Sequence, residues 1–491
     1  MGNSWRDRWT DTLRQRPAAL AVFATVGAFV AYFCMYAFRK PITAATYDGV
    51  PLTLELFGRA LNAKTVFMVA QILGYCLSKF SGTVVCSGVE RDRLGRTLMG
   101  AVGISWIALF FFAVLPPQWK VAAVFVNGLP LGIVWGLIVR YLEGRRVSEL
   151  LLAGLSCSYI LSSGETKRAG RWLIDSGIPE IWMPFATGAM FLPAFALGVG
   201  MLALLPRPSA EDERLRSRRG KMSADERWNF IRRFLPGLFL LFVACFFLTA
   251  YREFRDIYQI DLFLEIGIGD PAAFSRTERP IALGVLVALA LISFIKSNRA
   301  GLAATYGMML FGSILMGASM WAFDRGMIGG ETWMICCGLG VYLAYVPFGG
   351  MLFERTIALT RFAGTAVFAI YLVDALGYTG AVGIQIYRDI FAGDESRLEF
   401  FRHLTYAISL GGIPVIAAAM TYFLRQRPTK IRRGFLSTPS IFLSCPSKKV
   451  TAEDTAPIGG SPRSDMAFPC FCPPPAGSVR EEWDRRDAGA T

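Results

Sequence analysis

Residues 31–42 read AYFCMYAFRKPI, an apolar run that ends in Arg39 and Lys40. Residues 244–255 read ACFFLTAYREFR, a near copy. A shift of 213 positions, the difference between 252 and 39, places Ala31 on Ala244, Phe33 on Phe246, Ala37 on Ala250, Phe38 on Tyr251 and Arg39 on Arg252. Apolar matches are common in a hydrophobic chain. A cation matching a cation inside two apolar helices is not, because ionisable groups at membrane depth are costly and mark functional positions. The repeat predicts two related halves, with Arg39 and Arg252 as symmetry mates facing one central basic cavity.

Composition points the same way. The 491 residues are 54% hydrophobic and 18% charged, more apolar than soluble domains. The length therefore reads as one polytopic membrane body rather than two or three soluble domains. The formal charge of +14 needs no nucleic acid, because Lys and Arg gather in short loops, where they set membrane orientation. The ten cysteines form no CxxC pair, so neither a disulfide framework nor a metal site is expected. Adjacent Cys336 and Cys337 read as small core residues, and no cofactor is implied. The apolar run 18–38 is long enough to span and ends in Arg39-Lys40 rather than a small-residue cleavage site, which argues against a cleavable signal.

A spanning helix needs about 20 mostly apolar residues. Twelve segments qualify: 19–47, 64–86, 97–115, 120–140, 149–174, 182–205, 234–260, 279–296, 301–323, 331–354, 361–388 and 401–424. With the N-terminus inside, the inside loops hold Arg91, Arg93 and Arg96, then Arg140, Arg145 and Arg146, then a basic central stretch from Arg214 to Arg233. Two outside loops, with Arg276 and Arg279 and with Arg388, Arg397 and Arg402, fit less well. The bias still favours both ends in the cytoplasm. The chain divides into an N-terminus (1–18), a six-helix half (19–205), a cytoplasmic linker (206–233), a second six-helix half (234–424) and a Pro/Ser/Gly-rich tail (425–491) expected to be disordered. A second echo agrees: Glu143-Gly144-Arg145 ends the fourth span and Glu354-Arg355 the tenth. The fold class is all-α, two parallel six-helix halves.

Residues 88–96, GVERDRLGR, follow the second span and match GxxxDRxGR. This resembles the signature of the major facilitator superfamily between its second and third helices. The resemblance implies a conformational latch of Gly88, Asp92, Arg93, Gly95 and Arg96, with Asp92 near a helix end or an arginine and Gly95 in a tight turn. The bland alternative is a basic inside turn. Tyr36-Ala37-Phe38-Arg39-Lys40 is similar to the first helix of the organophosphate:phosphate antiporter family. There the Arg before the Lys binds substrate phosphate with an Arg of the seventh helix. Arg39 matches the first and Arg252 best matches the second. Gly74-Tyr75 with Ser78-Lys79-Phe80 is similar to that family's second helix, and Asp374-Ala375-Leu376-Gly377 through Gln385 resembles its eleventh. The second-helix match sets the loop about four residues earlier than the DRxGR match, so either one helical turn is inserted or one match is accidental. Through YFCMYAFRKP, NGLPLG with YLEGRR, and AYREFRD, the chain more closely resembles a bacterial family of such membrane proteins with no assigned substrate. That resemblance implies a multi-pass protein of the bacterial inner membrane.

Guanidinium is planar, always charged and able to grip oxygens in a fork, which suits phosphate. Arg39 lies about 9 Å and Arg252 about 7.5 Å outward of their helix centres, at a rise of about 1.5 Å per residue. Such similar depth lets one anion meet both. Lys40, Arg255 and Lys167 are further substrate-binding candidates; Pro41 can kink the first helix after the pair. Against this, Arg252 and Asp256 are spaced to pair on one helix face, and Arg39 and Lys40 to reach the outer interface. Lys167 and Arg171 either enlarge the basic cavity or belong to an outer helix end. Asp374, Asp256 and Glu165 are the coupling or charge-pairing candidates, Asp374 as a proton carrier or as the neutraliser of an arginine. His403, the only histidine, reads as a surface residue. Gly128, Gly132 and Gly136 recur every four residues, a helix-packing pattern. The expected partners are a small anionic substrate, membrane lipid and, in one alternative, a coupling proton. The expected function is secondary transport of an organic anion, best fitting organophosphate/phosphate exchange. The alternatives are a proton-coupled carrier of a carboxylate or other anion, and a non-transporting sensor. No nucleophile motif, metal cluster or phosphate loop suggests an enzyme.

Overall fold

A computed structural model describes residues 5–52, 54–142, 148–206, 224–349, 351–360, 366–392 and 395–426. The first half contains α1 (Trp5–Gln15), α2 (Pro17–Met35), α3 (Ala63–Gly88), α4 (Leu94–Val114), α5 (Pro117–Leu131), α6 (Val134–Leu142), α7 (Ser148–Asp175) and α8 (Met183–Ala203). The second contains α9 (Ala224–Ile257), α10 (Gln259–Glu265), α11 (Ala272–Ser293), α12 (Asn298–Asp324), α13 (Gly330–Tyr345), α14 (Met351–Thr360), α15 (Ala366–Phe391) and α16 (Arg397–Arg425). The strands among the described residues form one two-stranded hairpin, Glu55–Leu56 against Arg59–Ala60. Most of the linker, the tail beyond 426 and Glu143-Gly144-Arg145 lie outside the described residues.

This is an all-α polytopic membrane protein. Among the described residues, eight segments are long and apolar enough to cross a bilayer: Ala18–Phe38, Arg91–Val114, Pro117–Leu142, Met183–Ala203, Trp228–Ile257, Asn298–Asp324, Gly330–Gly349 and Arg397–Arg425. Their outer faces present Val22, Leu197, Phe239, Phe311 and Leu410, each more than half exposed. So much outward apolar side chain suits lipid rather than water. The four remaining long helices are α3, α7, α11 and α15, at least 22 residues each. Of these, α3 packs on α15 and α7 on α11, so they form the seam between the halves and carry charged residues there, Lys79 with Asp374 and Lys167 among them.

Two boundaries differ from the sequence reading. The first span, expected to run to 47, ends as an α-helix at Met35 and continues as 3-10 turns at Tyr36–Phe38 and Pro41–Ala44. Proline 41 has no N–H for the helical ladder, and its ring clashes with a continuing helix. The seventh span begins at Ala224 rather than 234, so the end of the expected linker is helical.

Within each half, helices touch at glycine. A Cβ on Gly74 would lie 2.2 Å from the Phe125 carbonyl oxygen, and one on Gly128 2.2 Å from that of Gln71. The backbones of α3 and α5 meet there without side chains between them, as small-residue seams in membranes do. Gly132 closes the same seam against Tyr75 and Ser78. Gly312 and Gly340 do the same for α12 and α13.

Gly74→Ala or Gly128→Ala should force α3 and α5 apart and destabilise the protein by about 1–3 kcal/mol, the usual cost of overpacking. Gly307→Ala, whose added Cβ meets nothing within 4 Å, should leave stability unchanged or slightly higher. Thermal melts of the purified protein in one mild detergent check both.

Candidate functional site

The break in the first span builds one side of the site. Where the helix stops, carbonyls lose their helical partners and need others inside the membrane. The Asn127 amide, from α5, donates to the Phe38 carbonyl at 2.9 Å and to the Ser105 carbonyl at 3.0 Å. The Gln71 amide, from α3, donates to the Asn127 side chain at 2.7 Å and the Arg39 carbonyl at 3.3 Å. The backbone at Phe38 and Arg39 is thus pinned, and Arg39 is directed inward. Its guanidinium carbon lies 4.1 Å over the Tyr75 ring, a cation–π geometry.

The other side comes from unbroken α9, where residues 252 to 256 place five side chains around one and a half turns. The Arg252 guanidinium lies 4.4 Å from the Tyr345 ring centroid and donates to Glu253 at 2.7 Å. Arg39 approaches the same Glu253 oxygen at 3.9 Å, and Lys40 reaches the second oxygen at 3.4 Å. Arg39, Lys40, Arg252 and Glu253 are all more than nine-tenths buried. The two arginines of the repeat therefore meet, and a carboxylate stands between them. Glu253 is itself the repeat mate of Lys40, 213 positions on. The repeat keeps the charge at Arg39/Arg252 and inverts it at Lys40/Glu253, and the inverted pair faces across the seam. The expected basic cavity is, in this state, a closed cluster of paired charges.

Two further pairings extend it. Lys40 and Lys167 both pair with the Asp256 carboxylate. Lys167 also donates to the Asp256 carbonyl at 2.7 Å and to Gln259 at 2.9 Å. The Ser163 hydroxyl donates to Asp256 at 2.6 Å. Arg255 turns away from Arg252: it donates to Glu278 of α11 at 2.9 Å and to the Met334 carbonyl at 3.0 Å, against Gly338. Lys79 of α3 pairs with Asp374 of α15, which also accepts from the Tyr345 hydroxyl at 3.2 Å. Asp374 thus neutralises a lysine rather than either arginine, and Asp256 pairs with lysines rather than with Arg252.

Other expected residues lie elsewhere. Glu165 is outside the buried cluster and pairs with Arg279 at 2.6 Å and Arg168 at 3.7 Å. Arg171 pairs with Asp175 of its own helix at 3.1 Å. In the latch sequence, Gly88 ends α3, Asp92 and Arg96 are exposed, and Arg93 pairs with Glu90 at 3.3 Å. Arg91 donates to the Pro206 carbonyl after α8 at 3.2 Å. Gly95 does not form the expected tight turn. It lies in the first turn of α4 without a left-handed φ, and a Cβ there would meet Tyr141 and Val199 only at ordinary contact distance, 3.4 and 3.6 Å. Outside the spanning segments, Asp270 accepts from Arg276 at 2.5 Å and from the Ala272 amide at 2.8 Å, which hold its carboxyl below the usual value.

Sequence reasoning missed a second set of seam contacts, beyond Pro41 from the arginines. Lys64 pairs with Asp261 at 2.7 Å, and Arg397 joins the same carboxylate at 3.1 Å. The Thr65 and Tyr258 hydroxyls are 2.7 Å apart, and the Asn62 amide donates to Asp389 at 3.1 Å. It also missed Glu253, Glu278 and the tyrosines behind the arginines. One more step along the repeat, from Arg39/Arg252 to Lys40/Glu253, would have exposed the charge inversion.

A family model described as "Family of unknown function (DUF5690)" matches residues 41–426. A search of curated proteins finds no match. Solved structures share the fold. A bacterial homolog of the human lysosomal transporter Spinster, inward-facing and unoccupied, matches with TM-score 0.55 at 13% identity over 84% of this chain and 99% of that one. The D-xylose-proton symporter matches with TM-score 0.56 at 11% identity over 83% and 97%. The nucleoside transporter NupG matches with TM-score 0.54 at 13% identity over 82% and 99%. These are transporters of the major facilitator type, and at such identities the likeness establishes the fold.

Asp256→Asn should remove the carboxylate shared by Lys40 and Lys167 and destabilise the protein by about 3–5 kcal/mol, as breaking a buried pair does. Asp324→Asn, which breaks a more exposed pair with Arg402, should cost less than about 1 kcal/mol. Denaturant titration in detergent compares the two.

Proposed function

The chain belongs to that family of unknown function, and from this premise we propose that it is a secondary transporter of a small organic anion. The substrate best fitting the site is a phosphate ester, exchanged for phosphate by alternating access. One observation carries the reading: Arg39 from the first half and Arg252 from the second converge on a single carboxylate oxygen. A site contributed equally by two halves is remade as they rock, so an anion held there sees first one side of the membrane and then the other.

Charge supports an anion. The six cations of the cluster described above face four carboxylates, a formal excess of two positive charges among the described residues. Tyr75 and Tyr345 back the arginines and hold their planes in place, which lowers the ordering cost of binding. Movement requires the seam to open at one end. The pairings around Asp261 and the Thr65–Tyr258 contact would separate when the site faces their side. The orientation that fits the loop charges puts both termini in the cytoplasm of a bacterial inner membrane.

Proteoliposomes loaded with phosphate and given labelled external phosphate test the reading. Counterflow should occur, and Arg39→Lys should reduce it about 10- to 100-fold, the worth of one or two charge-assisted hydrogen bonds lost with the planar fork. Unchanged exchange in Arg39→Lys would overturn the site assignment. Uptake of a carboxylate driven by a pH gradient, and lost in Asp374→Asn, would instead establish proton coupling through the Lys79–Asp374 pair. Anion-induced stabilisation without any flux would make the protein a sensor.

A further inference from the structure

We infer that Glu253 is a resident occupant of the anion site, displaced by substrate, and that it selects tetrahedral dianions over monocarboxylates. The inference rests on the anion-site reading above and adds a residue and a selection rule to it.

The geometry is that of a bound anion. One Glu253 oxygen accepts from Arg252 at 2.7 Å, and the other faces Lys40 at 3.4 Å. Arg39 is left at 3.9 Å from the first oxygen, beyond hydrogen-bond reach. The Arg252 Nε is buried without a hydrogen-bond partner among the described residues. Two carboxylate oxygens thus hold three cations while leaving donor capacity of both arginines unused. A group with three terminal oxygens and two charges can serve Arg39, Arg252 and Lys40 together. A monocarboxylate offers the same charge and oxygen count as Glu253, and must displace a competitor already tethered in place. The exchange is then close to even in contacts and loses the freedom of the incoming ligand. A phosphate monoester gains both a charge and an oxygen over the carboxylate it displaces. Specificity arises from the competitor as much as from the attraction.

The test is equilibrium binding to the full-length protein in detergent, by calorimetry, with inorganic phosphate and propionate as probes. Wild type should bind phosphate and not propionate. Glu253→Gln should bind phosphate roughly tenfold more tightly, the equivalent of one charge-assisted hydrogen bond, and should acquire propionate binding. Glu253→Asp keeps the charge for folding but withdraws the carboxyl by roughly 1.5 Å, and should show a smaller gain in the same direction. If wild type binds phosphate and neither variant binds it more tightly, the displacement inference is overturned and the anion site stands. If no variant and no wild type binds either anion, the anion-site reading fails together with it. On the unaltered protein, infrared difference spectra on adding phosphate should show a carboxylate stretch changing environment. Phosphate binding with no carboxylate change would also overturn the inference.

Discussion

The carboxylate of Glu253, held between Arg39 and Lys40 of one half and Arg252 of the other, is the contact on which the rest of the structure depends. Buried charge is tolerated only when paired and hydrogen-bonded. Here neither half satisfies all of its own charges. Lys40 needs Glu253 and Asp256 from the second half; Asp256 needs Lys167 from the first; Asp374 needs Lys79. The same pairings that make burial possible also bind the halves together. An ionic seam differs from an apolar one in that a competing ion can loosen it.

Backbone geometry serves that seam. A straight first helix would continue past Met35 and carry Arg39 and Lys40 on a regular spiral. The 3-10 turns and Pro41 instead free carbonyls, and Asn127 and Gln71 take them up. Those two amides sit near the close α3–α5 crossing that Gly74 and Gly128 permit. Helix packing, backbone satisfaction and arginine placement are therefore one arrangement in the first half. In the second half α9 runs on as far as Ile257, and Arg252 is positioned by the ordinary helix and by the Tyr345 ring.

The distribution of polarity follows from this division. Of the eight apolar spans, Trp228–Ile257 carries Glu253 and Asp256 to the seam, where they meet Lys40 and Lys167 of the first half. Helices α3, α7, α11 and α15 meet across the seam, and each carries charge there or nearby: Lys64 and Lys79, Lys167, Glu278, Asp374 and Asp389.

The amino-acid sequence by itself determined an all-α, multi-pass membrane fold and the presence of an arginine at matched positions in the two copies of the repeat. Those features live in run length, loop charge and a 213-residue repeat, all of which are one-dimensional. It left unresolved whether Asp374 carries a proton or neutralises an arginine, and whether Lys167 and Arg171 enlarge the central cavity or belong to an outer helix end. It also allowed Arg255 beside Arg252, and Glu165 within the coupling set. Only the tertiary structure decided these, because a buried ion chooses its partner by direction and by desolvation across helices that are far apart in the chain. Glu253 is the clearest case. Beside Arg252 in the sequence it is one more charge on a helix, and only the approach of the first span turns it into the anion at the centre.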